Sequence, residues 1–169
     1  RATSENPGMR IFLLSEMIHN PSVNRDLQEH GLRFIQDTSG NLLMPWEELR
    51  PEDVVIVPAF GTTIETKDRL TKMGIEIQTY DTTCPFVSKV WKMADKLGKK
   101  DFTVVVHGKA SHEETRATFS HSQEGAPTVV VLNMEETELL ARFIRKELPK
   151  EEFYTAFEGR YTEGFDPER

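Results

Sequence analysis

Apolar and polar positions fall into short blocks along the chain, switching between the two periods that mark strands and helices. Ile11-Phe12-Leu13-Leu14 is fully apolar, as a strand buried on both faces requires. Asn20-Pro21 then pairs a capping residue with a proline suited to the first helical position. Val23 and Leu27 lie one helical turn apart, and Gly31 closes the segment, so a helix is predicted there. Leu32 to Ile35 predicts a second strand, and Asp37 to Glu48 a polar, turn-rich surface excursion. Val54 to Val57 predicts a third buried strand, Ile64 to Met73 a helix stopped by Gly74, and Ile75 to Thr79 a fourth strand.

The alternation continues through the second half. Phe86, Val87, Val90, Trp91 and Ala94 recur at helical spacing behind Pro85, and Phe102 to Val106 predicts a strand ending at His107-Gly108. Ser111 and Glu114 match a capping box, Thr128 to Leu132 predicts another strand, and Glu135 to Glu147 an amphipathic helix on Leu139, Leu140 and Phe143. A last helix is predicted over Glu151 to Glu158. Strands alternating with helices give the fold class: α/β, with two consecutive parallel-sheet units, residues 1–84 and 85–169.

Composition narrows the function classes. The 169 residues carry 28 acidic against 21 basic side chains, a net charge of -7, which argues against nucleic acid as a partner. No apolar run approaches the ~20 residues needed to cross a bilayer, so no membrane partner is expected and the chain reads as soluble and intracellular. A single cysteine cannot form an internal disulfide, which suits a reducing compartment.

That cysteine, Cys84, sits where a predicted strand hands over to a helix beginning at Pro85. Unpaired amide donors and the positive end of the helix dipole favour there the form of sulfur that attacks electrophiles or binds metal. Burial as a small core residue is the plainer alternative. Further polar signals sit beyond predicted strand ends, where open parallel sheets bind ligands: His19-Asn20, Thr82 to Cys84, and His107 through Glu114. Either Glu114 closes a capping box, or His112 serves an anion and Glu114 donates a proton. Lys89 and Lys109 could add charge for a phosphorylated ligand. Zinc is not expected, since there is no Cys-x-x-Cys pair and His107 and His112 miss the helical zinc spacing. There is also no Walker or Gly-x-Gly-x-x-Gly motif.

Asp81-Thr82-Thr83-Cys84-Pro85-Phe86-Val87-Ser88-Lys89-Val90-Trp91 closely resembles the central cysteine motif of the 4-hydroxy-3-methylbut-2-enyl diphosphate reductases, the LytB family. Glu16 to Asn24, Val57-Pro58-Ala59-Phe60-Gly61 and His107 to Thr115 resemble further family blocks, in family order. The closing Gly164-Phe165-Asp166-Pro167 is similar to the longer branch found in photosynthetic bacteria and plastids.

The resemblance implies three α/β units around a [4Fe-4S] iron–sulfur cluster held by three cysteines, of which Cys84 matches the middle ligand. His19 and His112 match histidines around an allylic diphosphate substrate, with His19 on the diphosphate, and Glu114 matches the residue relaying protons to the departing hydroxyl. Ferredoxin or flavodoxin is the implied electron donor, and bacterial cytoplasm or plastid stroma the implied location. The other cysteine blocks have no counterpart in the sequence, so the chain is expected to be an internal piece of such an enzyme, inactive alone. Many family members carry histidine at the position of Phe60 as another diphosphate ligand, and the longer branch carries phenylalanine. Two rivals remain at this stage: a stand-alone diphosphate- or partner-binding module, and a thiol-dependent enzyme using Cys84 with His112.

Overall fold

The computed structural model describes residues 1–162 and 164–165, so Asp166 and Pro167 of the closing motif lie outside the described residues. The chain divides into two compact units, Arg1–Ser88 and Lys89–Arg169, and the division falls within one helix.

The first unit opens with a short helix α1 (Ala2–Glu5), followed by β1 (Ile11–Leu13), α2 (Pro21–Glu29), β2 (Arg33–Phe34), β3 (Val54–Ile56) and α3 (Ile64–Lys72). The strands form a parallel sheet in the order β2-β1-β3, with Phe12 opposite both Arg33 and Val55. The continuous apolar runs are explained by burial on both faces. Phe12, Leu14, Val55 and Val57 enter one cluster with Ile35, Leu70 and Trp46, while Leu13 and Ile56 enter another with Leu32. Each such side chain contributes on the order of 1.5–3 kcal/mol relative to exposure.

Helices α2 and α3 end alike. Gly31 and Gly74 take φ of 85° and 80°, letting Leu32 N–H reach the Leu27 carbonyl and Ile75 N–H the Leu70 carbonyl, each at 3.1 Å. This is the Schellman geometry, and it turns buried Leu32 and Ile75 back onto the sheet.

Two expectations need correction. Ile75 to Thr79 is not a strand. The Glu76 carboxylate accepts from the Gln78 and Thr79 amides, at 2.6 and 3.1 Å, and folds the segment into a turn. Ile75 and Ile77 are nevertheless buried, and the sheet is rejoined only at an isolated parallel bridge, Val57 to Asp81. The excursion over Asp37 to Glu48 is also more than surface. Asp37 organises its turn through Ser39 and Asn41, but Met44 and Trp46 return to cover the core.

Helix α4 (Pro85–Gly98) leads into β4 (Val104–His107), α5 (Glu113–Gln123), β5 (Thr128–Val131), α6 (Met134–Ile144) and α7 (Lys150–Ala156). In the second unit β4 and β5 pair in parallel, Val104 opposite Thr128 through His107 opposite Val131. Tyr161 bridges antiparallel to Val129 on the other edge of β5. The core joins Val129 and Val131 to a stack of Phe143, Phe153 and Phe157, the first two rings 4.0 Å apart. Trp91 of α4 stacks on His121 of α5 at 3.7 Å. Close backbone approach fixes the rest of that contact: a Cβ on Gly98 would lie 1.7 Å from the Gly125 carbonyl oxygen.

Candidate functional site

The site residues of the first unit lie on loops leaving the carboxyl ends of its parallel strands, the edge at which such sheets bind ligands. The loop after β1 is pinned by buried Asn24, which accepts from Met17 N–H at 3.1 Å and donates to the Ile18 carbonyl at 2.8 Å. Asn20 caps α2, its side-chain oxygen accepting from the amides of Ser22 and Val23. Between these anchors His19 is exposed, and its ring stacks on Phe60 with centroids 4.1 Å apart and planes inclined 22°.

The cysteine loop lies alongside the exit of β3. Thr82 N–H donates to the Val57 carbonyl at 3.1 Å, and Cys84 N–H to the Ala59 carbonyl at 2.9 Å. The Cys84 carbonyl accepts the first helical bond, from Ser88 N–H at 3.1 Å, so the half-buried sulfur is carried at the start of α4 as the proline predicts. Asp81 holds this loop. It receives Thr83 N–H at 2.9 Å, the Thr83 hydroxyl, and the Lys67 ammonium at 2.8 Å. Burial pushes the Asp81 carboxyl up, but the Lys67 and Thr83 donors outweigh it and hold it below the usual carboxylate range.

The second unit carries its own constellation at the carboxyl end of β4. His107 ends the strand and is exposed. Gly108 follows, and a Cβ there would meet the Thr115 hydroxyl at 2.5 Å, so a larger residue would have to displace that side chain. The helix cap is His112, not Ser111: its Nδ1 accepts from Glu114 N–H at 3.3 Å, and α5 begins one residue later than a Ser111 cap would require. An accepting Nδ1 leaves the ring proton on Nε2, which can donate to an anion. Glu114 stands exposed in the first turn. His107, Gly108, Lys109, His112, Glu114 and Thr115 line an open cleft of ≈ 520 Å³.

His112 and Glu114 are thus brought together in one unit, and His19, Phe60 and the cysteine loop meet at one sheet edge in the other. Sequence reasoning had no signal for the His19–Phe60 stack, which joins two loops, or for the Lys67–Asp81 pair, which joins α3 to the cysteine loop. Cys84 is the only thiol of the sequence, and a thiol is a side chain suited to iron. A four-iron cluster normally takes several thiolates. Cys84 therefore fits as one corner of such a group and cannot hold it alone.

Fold and site define a parallel α/β protein that presents a cysteine, imidazoles and a carboxylate at the carboxyl ends of its strands. The family described as LytB protein matches residues 1–156, and on that match the chain belongs to the LytB family. A relative from Synechococcus sp. (strain CC9311) is 42% identical over 163 residues, covering 96% of this chain and 39% of its own length. One from Prochlorococcus marinus (strain MIT 9211) is 41% identical with the same coverage. Both are called 4-hydroxy-3-methylbut-2-enyl diphosphate reductase. The chain thus spans about two fifths of their length.

Among solved structures, the (E)-4-hydroxy-3-methyl-but-2-enyl diphosphate reductase described as the terminal enzyme of the non-mevalonate pathway superposes with a TM-score of 0.63 at 25% identity. The match covers 80% of this chain and 44% of that one. The Plasmodium falciparum reductase, at 19% identity and a TM-score of 0.65, shares the fold, with 81% of this chain and 39% of its own covered. Among the described residues no helix is long and apolar enough to cross a membrane.

Proposed function

We propose that the chain supplies part of a 4-hydroxy-3-methylbut-2-enyl diphosphate reductase. That enzyme removes the allylic hydroxyl as water, using two electrons and two protons, and yields isopentenyl and dimethylallyl diphosphates. The observation carrying this reading is the cysteine loop, seated beside the exit of β3 with its sulfur at the start of α4, within a LytB match over residues 1–156. An iron–sulfur cluster, when bound, supplies Lewis acidity toward the hydroxyl and passes electrons singly. Cys84 is the ligand this chain would give to such a cluster, and as the single cysteine of the sequence it would be one of several that the group takes.

The chain's own groups handle charge and protons. His19 is the imidazole assigned to the diphosphate, and His112 offers the cleft of its own unit a ring N–H for an anion; charge-assisted bonds of this kind are strong. His112 caps α5 through Nδ1, so its donor toward an anion would be Nε2. Glu114, in the first turn of α5, gives its proton to the departing hydroxyl oxygen and is recharged from solvent, to which it is open. Asp81 and Lys67 keep the cysteine loop in register. The electron donor is a small carrier of the ferredoxin or flavodoxin class, and the compartment a bacterial cytoplasm or plastid stroma, in keeping with the cyanobacterial relatives.

Turnover of the allylic diphosphate by the protein expressed from its native reading frame tests this reading. Glu114→Gln is expected to cut kcat by about 10²–10⁴-fold while leaving diphosphate affinity nearly unchanged. Full turnover in that variant would remove Glu114 from the chemistry, and a wild type that never consumes the substrate would remove the reductase reading.

A further inference from the structure

Two loops at the carboxyl edge of the first sheet are fixed by their own backbones, and their side chains meet. On one, His19 is the central residue of a tight turn in which Asn20 N–H reaches the Ile18 carbonyl at 2.7 Å, and Asn24 holds the same carbonyl. On the other, Phe60 stands in the turn closed by Gly61 N–H to the Pro58 carbonyl at 2.9 Å, with Gly61 at φ 74°. Ala59 ties the two together, donating to the Met17 carbonyl at 3.2 Å while its own carbonyl receives Cys84 N–H. Across this frame the exposed His19 ring lies on the half-buried face of Phe60, 4.1 Å away.

An exposed imidazole on a loop would otherwise sample several rotamers and lose that freedom on binding an anion. Stacking on a ring that is itself held removes much of this cost and fixes the plane in which the N–H groups point. We infer that Phe60 is a positioning residue for His19, holding its imidazole at the orientation in which it meets the diphosphate. The inference rests on the proposed role of His19. Where an imidazole at this position would itself contact the anion, the phenyl ring acts only through its neighbour, trading a second contact for a pre-aimed first one.

Histidine-labelled protein, followed by NMR and titrated with inorganic pyrophosphate, tests this. In the wild type the His19 ring protons are expected to be shielded by the Phe60 ring current relative to an unstructured histidine. Phe60→Leu should abolish that shielding and weaken pyrophosphate binding about fivefold, the scale of one aromatic stack. Phe60→Tyr should restore both to within about twofold, which a role in loop volume alone would not require. Unshielded His19 protons in the wild type would overturn the inference whatever the variants do. If His19→Asn weakens pyrophosphate binding and Phe60→Leu does not, the positioning role fails while the diphosphate role of His19 stands. If His19→Asn changes nothing, both fall.

Discussion

At the scale of single residues, Asp81 and His112 show how this protein spends polar side chains on loop geometry next to chemistry. The folded Asp81 carboxyl lies below its ordinary value, so the stability it contributes is present above the unfolded carboxylate pKa and is lost as pH falls through the folded one. Asp81→Asn, which loses the Lys67 ion pair, is expected to cost about 1–3 kcal/mol in urea melts near neutrality. It should also flatten the acid limb of the stability profile, and an unchanged limb would show that Asp81 does not drive it. His112 caps α5, and the proposed function gives it a second, separable duty toward an anion. His112→Ala should destabilise by about 1 kcal/mol through loss of the cap, and His112→Asn should recover most of that, since asparagine caps well. Neither variant should retain wild-type pyrophosphate affinity. Recovery of affinity by asparagine would assign His112 a capping role only.

At the scale of elements, what the sequence reveals follows from how each element is buried. Ile11 to Leu14, Val54 to Val57 and Thr128 to Val131 are legible because burial on both faces leaves continuous apolar runs. Asn20-Pro21 and Cys84-Pro85 mark helix starts because local chemistry decides them. Ile75 to Thr79 misleads because its buried isoleucines satisfy the strand period while Glu76 captures the amides a strand would need. Ser111 misleads for a similar reason: serine is the better cap by type, yet the ring of His112 takes the amide.

Two substitutions test the element ends. Gly98→Ala places a Cβ against the Gly125 carbonyl and is expected to cost upward of about 2 kcal/mol, because backbone must move. Lys146 closes α6 at φ 61° where glycine is preferred, its neighbour Glu147 donating to the Arg142 carbonyl at 2.8 Å. Lys146→Gly should therefore stabilise by about 1 kcal/mol, and a destabilised variant would mean the lysine side chain contributes more than the strain costs.

At the scale of the whole molecule, each unit repeats the same plan: a parallel sheet with the candidate site side chains beyond the carboxyl ends of its strands. Cys84, His19, His112 and Glu114 are legible at strand ends and helix starts, because those are locally encoded. Which side chains touch is not, because His19 and Phe60, or Lys67 and Asp81, come from different elements brought together only by the fold. Cys84 carries the largest share of the functional reading. Its removal should leave the fold intact, because the sulfur is only half-buried and the loop is held through Asp81 and the Cys84 backbone.

The most direct measurement compares iron content and visible absorption in wild type and Cys84→Ser, both expressed from the native reading frame and reconstituted anaerobically. Loss of the iron–sulfur absorption with an unchanged far-ultraviolet dichroism spectrum is the expected result. A serine variant that binds iron and turns over like the wild type would contradict the assignment of this sulfur, and with it the function proposed for the chain.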